Sequence, residues 1–287
     1  MGTLFRWSKY VSDEQLDEWE TKLVVAEVAY TAEKLVKSKR WQLNSYTTTE
    51  EAGIELQAKF GGEINELKPE HWHRSGEPEA GVLLQIRDQL IVTESNDESI
   101  LAALQAENPH RTILSFPPQL AFGTGAHPTT AACLQFLVDF AEKQGSKPWR
   151  LLDLGCGSAI LAVAAAKLGA SEIIAVENDE MALDYARINA VAHNCSDQIQ
   201  FVEADVLELI HDEKLGKFDL IAANLFSNLL VQLFPSFPDR LADPGEVIVS
   251  GCLTSQVQAV TDSASGAGIT LQNFLHRGKW VAAHSRR

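Results

Sequence analysis

The sequence predicts an α/β fold: a doubly wound, mostly parallel sheet of seven strands closed by an antiparallel terminal hairpin, preceded by a small N-terminal α/β domain. Three observations point to it. From Arg150 onward, apolar runs and amphipathic stretches alternate to the end of the chain. The first of these runs stops at a glycine turn and restarts at once as a helix. The last two runs are separated only by His276 to Lys279, too short a gap for a crossover helix, so they should pair antiparallel.

The elements follow in chain order. Ser12 is an N-cap for a charged helix from Asp13 to about Lys37, with Gln15 at capping-box distance. Arg40–Thr47 reads as a strand, Thr49–Phe60 as a helix capped by its threonine, and Glu63–Leu67 as a second strand; Gly61-Gly62 stops the helix. The N-terminal domain, residues 1–75, therefore counts as helix, strand, helix, strand. Trp7, Trp19 and Trp41 there could form a partner surface or simply the core of a small domain. His71 to Ala80, with Gly76 and Pro78, reads as a linker, and Val82–Ile86, Leu90–Thr93 and Thr112–Ser115 as strands of a connecting region, 76–115. His71 and His73 have no companions at metal spacing, so no metal site is expected.

The third segment, 116–287, carries the alternation. Its strands are Arg150–Leu154, Glu172–Val176, Gln198–Val202, Phe218–Ala223, Glu246–Ser250, Ile269–Phe274 and Trp280–Ala283. A helix runs from Ala131 to Lys143, and others lie between the strands: Ala159–Leu168, Glu180–His193, Ala204–Ile210, Ser227–Leu241 and Thr254–Ser265.

The turn itself, Leu151-Leu-Asp-Leu-Gly-Cys-Gly-Ser158, is a ligand cradle. A strand that passes into a helix leaves free N–H groups at the helix start, and Gly155 and Gly157 let a ligand lie against the backbone. The dinucleotide fingerprint Gly-x-Gly-x-x-Gly fails, because Ile160 stands at its third glycine. Asp153, just ahead of the turn, would repel a pyrophosphate but suits a cationic head, such as the ammonium of S-adenosylmethionine. Glu177, at the tip of the second strand, can accept both ribose hydroxyls. Cys156, inside the turn, reads as a small filler.

The net charge of −15 and a pI near 4.9 disfavour direct binding to nucleic acid. Such acidity suits a basic protein partner, or merely solubility. The four cysteines form no C-x-x-C pair, which points to a reducing, cytoplasmic setting. The polar N-terminus gives no signal peptide, and no apolar run is long enough to span a membrane.

A second motif, Ala121-Phe-Gly-Thr-Gly-Ala-His-Pro-Thr-Thr130, precedes the turn. Pro128 suits a first helical turn, and the threonines can satisfy its free N–H groups. This loop, the D-x-G-C-G-S turn and the Ala-Asn-apolar end of the fourth strand together resemble the PrmA family of ribosomal protein methyltransferases, within the class I S-adenosylmethionine-dependent enzymes. The resemblance covers about Ile113 to the C-terminus. It implies that Thr130, Gly155, Glu177 and Asn224 contact S-adenosylmethionine, with Phe122, Gly123 and Thr124 closing over its methionyl part. The family usually has aspartate at the place of Glu177. In many class I enzymes an acid at the place of Asp205 meets the adenine amino group; a solvated acid at a helix start is the alternative. The fourth strand lacks the Asn/Asp-Pro-Pro-Tyr of enzymes acting on planar nitrogens. That fits an amine on a flexible arm, with Asn224 as the catalytic candidate that orients the amine or the cofactor. His127 could assist proton removal or brace its loop. The expected function is N-methylation of a protein amine, a lysine side chain or an α-amine, with a ribosomal protein as substrate. A small-molecule methyltransferase and a non-catalytic binding module are the alternatives. In the family a ferredoxin-like N-terminal domain grips the ribosomal protein; the count of four elements here falls short of that domain.

Overall fold

The computed structural model describes residues 4–26, 28–34, 40–47, 49–67, 82–119 and 127–285. The chain divides into two compact units, Met1–Pro78 and Glu79–Arg287. Unit one contains β1 (Leu4–Ser12), α1 (Asp13–Val25), β2 (Thr31–Lys34), β3 (Arg40–Thr47), α2 (Glu50–Phe60) and β4 (Glu63–Leu67). Its four strands lie in the order β2-β3-β1-β4, all neighbours antiparallel, which is the split βαβ, ferredoxin-like arrangement.

This corrects the expected helix, strand, helix, strand in two places. The first helix stops at Val25, not near Lys37: the Val28 N–H bonds back to the Leu23 carbonyl at 2.9 Å, the six-to-one bond that ends a helix without needing glycine in the sequence. The chain then forms β2. The other addition is β1, whose inward-facing Trp7 and Val11 are fully buried. Trp7 belongs to the core, and Trp19 and Trp41 pack half-buried against it.

Unit two opens with β5 (Val82–Ile86), β6 (Leu90–Thr93), α3 (Glu98–Glu107) and β7 (Thr112–Ser115), the strands forming a small sheet in that order. α3 was not expected from the sequence; Asp97 caps it by accepting from the Ser99 and Ile100 N–H groups. Then come α4 (Pro128–Gln144), β8 (Arg150–Leu154), α5 (Ile160–Lys167), β9 (Glu172–Glu177), α6 (Glu180–Ala192), β10 (Ile199–Glu203), α7 (Val206–Leu209) and β11 (Phe218–Asn224). The chain ends with α8 (Ser227–Leu233), α9 (Phe237–Arg240), β12 (Leu241–Leu253), α10 (Val257–Gly266), β13 (Leu271–Arg277) and β14 (Trp280–Ser285). The stretch expected as one helix, Ser227–Leu241, is broken into α8, a single-turn segment and α9, because Pro235 and Pro238 cannot donate into a continuous helix.

The seven strands have the order β10-β9-β8-β11-β12-β14-β13. The first five run parallel, and β14 is antiparallel to both β12 and β13, as the short final connection requires. One face is covered by α4, α5 and α6, whose buried residues form one core with β5, β6 and β7. The other face is covered by α7, α8, α9 and α10. Among the described residues no helix is long and apolar enough to cross a membrane.

Candidate active site

Strand periodicity gathers the predicted residues. In β8, Leu152 and Leu154 pack under α7 to α10, so Leu151 and Asp153 face α4 and α5. Asp153 pairs with Ala222 of β11 on one side and Ala175 of β9 on the other. Asn224 and Glu177 lie two residues beyond these partners, so all three polar side chains share the α4–α5 face, at the carboxyl ends of their strands. The strand order reverses about β8, which is where an open α/β sheet leaves a ligand crevice.

The glycine turn fills that position. Gly155 and Gly157 have φ of 70° and 52°, and the Gly155 and Cys156 N–H groups both donate to the Val176 carbonyl at 2.9 Å. A Cβ at Gly155 would collide with the Leu225 side chain. A Cβ at Gly251, where φ is 91°, would collide with the Leu225 backbone. Leu225, directly after Asn224, is thus seated between two glycines, with its N–H on the Ser250 carbonyl at 3.0 Å. Leu225 is the apolar residue of the Ala-Asn-apolar motif, but nothing in the sequence links it to Gly251, which follows directly on the expected strand Glu246–Ser250.

Asp153 is 1% exposed. It accepts a hydrogen bond from the Ala162 N–H, while Oδ2 has no partner. Burial, reinforced by the nearby charge of Glu177, pushes its pKa up to about 7 against the pull of the Ala162 bond. Thr130, in the first turn of α4, is equally buried, and its Oγ1 has no partner; nor has Oδ1 of Asn224. Among the described residues, these three are the only side-chain oxygens of unit two that are buried without a hydrogen bond. Cys133, one turn after Thr130, feels the charge of Asp153 and packs in the same core as Leu151 on the α4–α5 face of the sheet. Buried acceptors rarely go unpaired, and oxygens gathered at one sheet edge fit a ligand that brings ammonium and hydroxyl donors.

Glu177 turns its carboxylate onto the turn. Oε2 accepts from the Gly157 N–H at 2.9 Å, and Oε1 from the N–H groups of Asn178 and Asp179 at 3.0 and 3.3 Å. Asp205 is exposed and caps α7 by accepting from the Leu207 N–H at 2.8 Å. Phe122, Gly123 and Thr124 lie outside the described residues, as do His71 and His73. His127 caps α4: its Nδ1 accepts from the Thr129 N–H at 3.3 Å, and its ring meets Trp280 edge-on at 4.9 Å. Burial, with the charge of Lys279, lowers its pKa to about 4. Such an imidazole is neutral near pH 7 and a weak base toward an ammonium of pKa about 10.4. Burial and the charges of Asp153 and Glu177 hold the Cys156 thiol protonated, in keeping with a filler.

Comparison with known proteins agrees with this geometry. A crystal structure of a ribosomal protein L11 methylase from Lactobacillus delbrueckii subsp. bulgaricus superposes with a TM-score of 0.58 at 27% identity, covering 70% of this chain and 97% of that one. The ribosomal protein L11 methyltransferase of Brucella abortus (strain S19) is 41% identical over 165 residues, 58% of this chain and 57% of its own length. The chain thus spans little more than half the length of that relative. The corresponding protein of Syntrophotalea carbinolica is 34% identical over 218 residues, 76% of this chain and 67% of its own. With a crevice at the strand reversal, a D-x-G-x-G turn and a family model matching residues 6–287, this chain belongs to the ribosomal protein L11 methyltransferase (PrmA) family.

Proposed function

We propose that this protein transfers a methyl group from S-adenosylmethionine to an amine of ribosomal protein L11, on a lysine side chain or an α-amine. The observation that carries the reading is the trio of unpartnered buried oxygens on Thr130, Asp153 and Asn224, gathered beside the glycine turn. When bound, the sulfonium supplies an electrophilic methyl group. The chain supplies the rest. Asp153, once ionised, faces the cofactor's ammonium. The Glu177 carboxylate has lone pairs beyond those taken by backbone N–H groups, and these accept ribose hydroxyls. By the family resemblance, Phe122, Gly123 and Thr124 would close over the methionyl part, and Asp205 would meet the adenine. Oδ1 of Asn224, buried without a partner, would accept an N–H of the incoming amine and orient it for transfer. Burial there favours the uncharged amine, so the proton leaves to water before attack. Nδ1 of His127 is engaged in capping α4, and with its pKa lowered to about 4 the imidazole is a weak base for the proton's removal.

Substrate recognition falls to unit one in this reading, and the net charge of −15 favours a basic protein. The cytoplasm is the compartment, where buried free thiols such as Cys133 and Cys156 stay reduced.

Incubating the protein with labelled S-adenosylmethionine and purified L11, followed by mass spectrometry, tests the reaction. Asn224→Ala should lower kcat about 100-fold, the usual cost of a misplaced reactant. If turnover and cofactor affinity both survive this change, the role given to Asn224 is wrong.

A further inference from the structure

Helix α6 grips the chain on two sides of the candidate site. Asn189, 2% exposed, donates from Nδ2 to the Ser158 carbonyl at 2.9 Å. The same nitrogen donates to Oε1 of Gln119 at 3.1 Å, and Gln119 Nε2 returns a bond to Asn189 Oδ1 at 2.8 Å. The two amides thus meet head to tail, using both donors and the acceptor of Asn189. Ser158 ends the glycine turn, and the next residue, Ala159, is held at φ 62° to start α5. Gln119 immediately precedes, in sequence, the stretch that carries the Phe-Gly-Thr-Gly motif.

One turn further on, His193 strengthens the grip. Its Nδ1 bonds the Asn189 carbonyl at 2.7 Å, and its Nε2 accepts from the Ser115 N–H at 3.0 Å. Its ring stacks on Phe116 at 5.1 Å and 23°. Packing alone would not require asparagine at this place: a buried helix position is filled more favourably by leucine than by a residue whose amide must find partners. The partners it does find are the backbone of the turn and a side chain 70 positions away in sequence.

We propose that Asn189 is a positioning residue for the cofactor site: through the Ser158 carbonyl it fixes the end of the glycine turn where α5 begins, and through Gln119 it fixes segment 115–119 against that turn. The inference rests on the cofactor reading given above. Its test is calorimetric titration of the full chain with S-adenosylhomocysteine, with melting temperatures in parallel. Gln119→Ala keeps the Asn189 bond to the Ser158 carbonyl and should raise Kd about tenfold, with a drop in melting temperature no larger than that of Asn189→Ala. Asn189→Ala should raise Kd further, and the double variant should bind no worse than Asn189→Ala alone, because both changes remove the same amide pair. In turnover assays the loss should sit in KM for S-adenosylmethionine and vanish at saturation. If both single variants bind as the wild type does and only melt earlier, Asn189 is structural and the proposal is overturned. A wild-type chain that fails to bind S-adenosylhomocysteine overturns the cofactor reading itself, and this proposal with it.

Discussion

Asp153 is a carboxyl whose ionisation the fold resists and a cationic ligand would favour. Buried on the α4–α5 face, with one oxygen on the Ala162 N–H and the other unpartnered, it is pushed up to about 7. In the proposed reading, the proton and the cofactor's ammonium would compete for the same oxygen. A raised acid pKa means that the free site is protonated below about 7, so cofactor affinity should be full above that pH and weaken as pH falls through it. Binding near pH 6 should release up to one proton. Calorimetry of S-adenosylhomocysteine in two buffers of different ionisation enthalpy measures that release, and Asp153→Asn should abolish it while weakening binding. Heats that are identical in the two buffers would remove Asp153 from the ammonium site. The residue's type and place were legible in the sequence, because D-x-G-x-G states both. Its neutral tendency was not, since that follows from burial under α4, a long-range fact.

At the scale of elements, caps decide where helices begin, and one of them titrates. His127 caps α4 through an unprotonated Nδ1, and its pKa is lowered to about 4 from 6.5. A base with a depressed folded pKa binds its proton more readily when unfolded. The stability it lends is therefore full above pH 6.5 and is lost as pH falls toward 4. His193, also lowered by burial, acts in the same direction. His127→Asn keeps a capping oxygen without the titration. It should melt near the wild type at pH 7 and above it at pH 5, by about 2–4 °C for each kcal/mol involved. Parallel melting curves for the two proteins across that range would contradict this role. The same local physics explains which elements the sequence revealed. β8, β9 and β11 read as short apolar runs, β8 and β11 each carrying a single internal acid, Asp153 and Asp219, and the turn after β8 announces itself with two glycines. β1 was hidden because Lys9 interrupts its inward alternation; in the fold its ammonium reaches the Phe60 carbonyl at 2.7 Å and lies 4.1 Å from the Trp19 ring. β2 is a four-residue edge strand carrying Glu33 and Lys34, composition that blunts an edge and equally resembles a helix end. Ties such as Asn189 to Gln119, or Leu225 between Gly155 and Gly251, join residues that no local pattern links.

For the whole molecule the governing quantity is charge. With 39 acidic residues against 24 lysines and arginines, the chain carries a net −15, and such a field draws in positively charged partners at range. A small cofactor bound against a buried carboxylate is held by short contacts that salt barely screens, whereas a large basic protein approaches through solvent over many screened charges. If the proposed reaction holds, its two substrates should therefore respond differently to ionic strength. Raising salt from about 50 to about 300 mM shortens the reach of the surface field to less than half. KM for the basic protein substrate should then rise about tenfold while KM for S-adenosylmethionine stays within a factor of two, about what is expected where encounter is electrostatically steered. Steady-state kinetics at four or five salt concentrations, with each substrate varied in turn, measures both slopes. Equal slopes would mean that the acidic surface serves solubility alone, and that recognition of the protein substrate rests on apolar and hydrogen-bonded contacts.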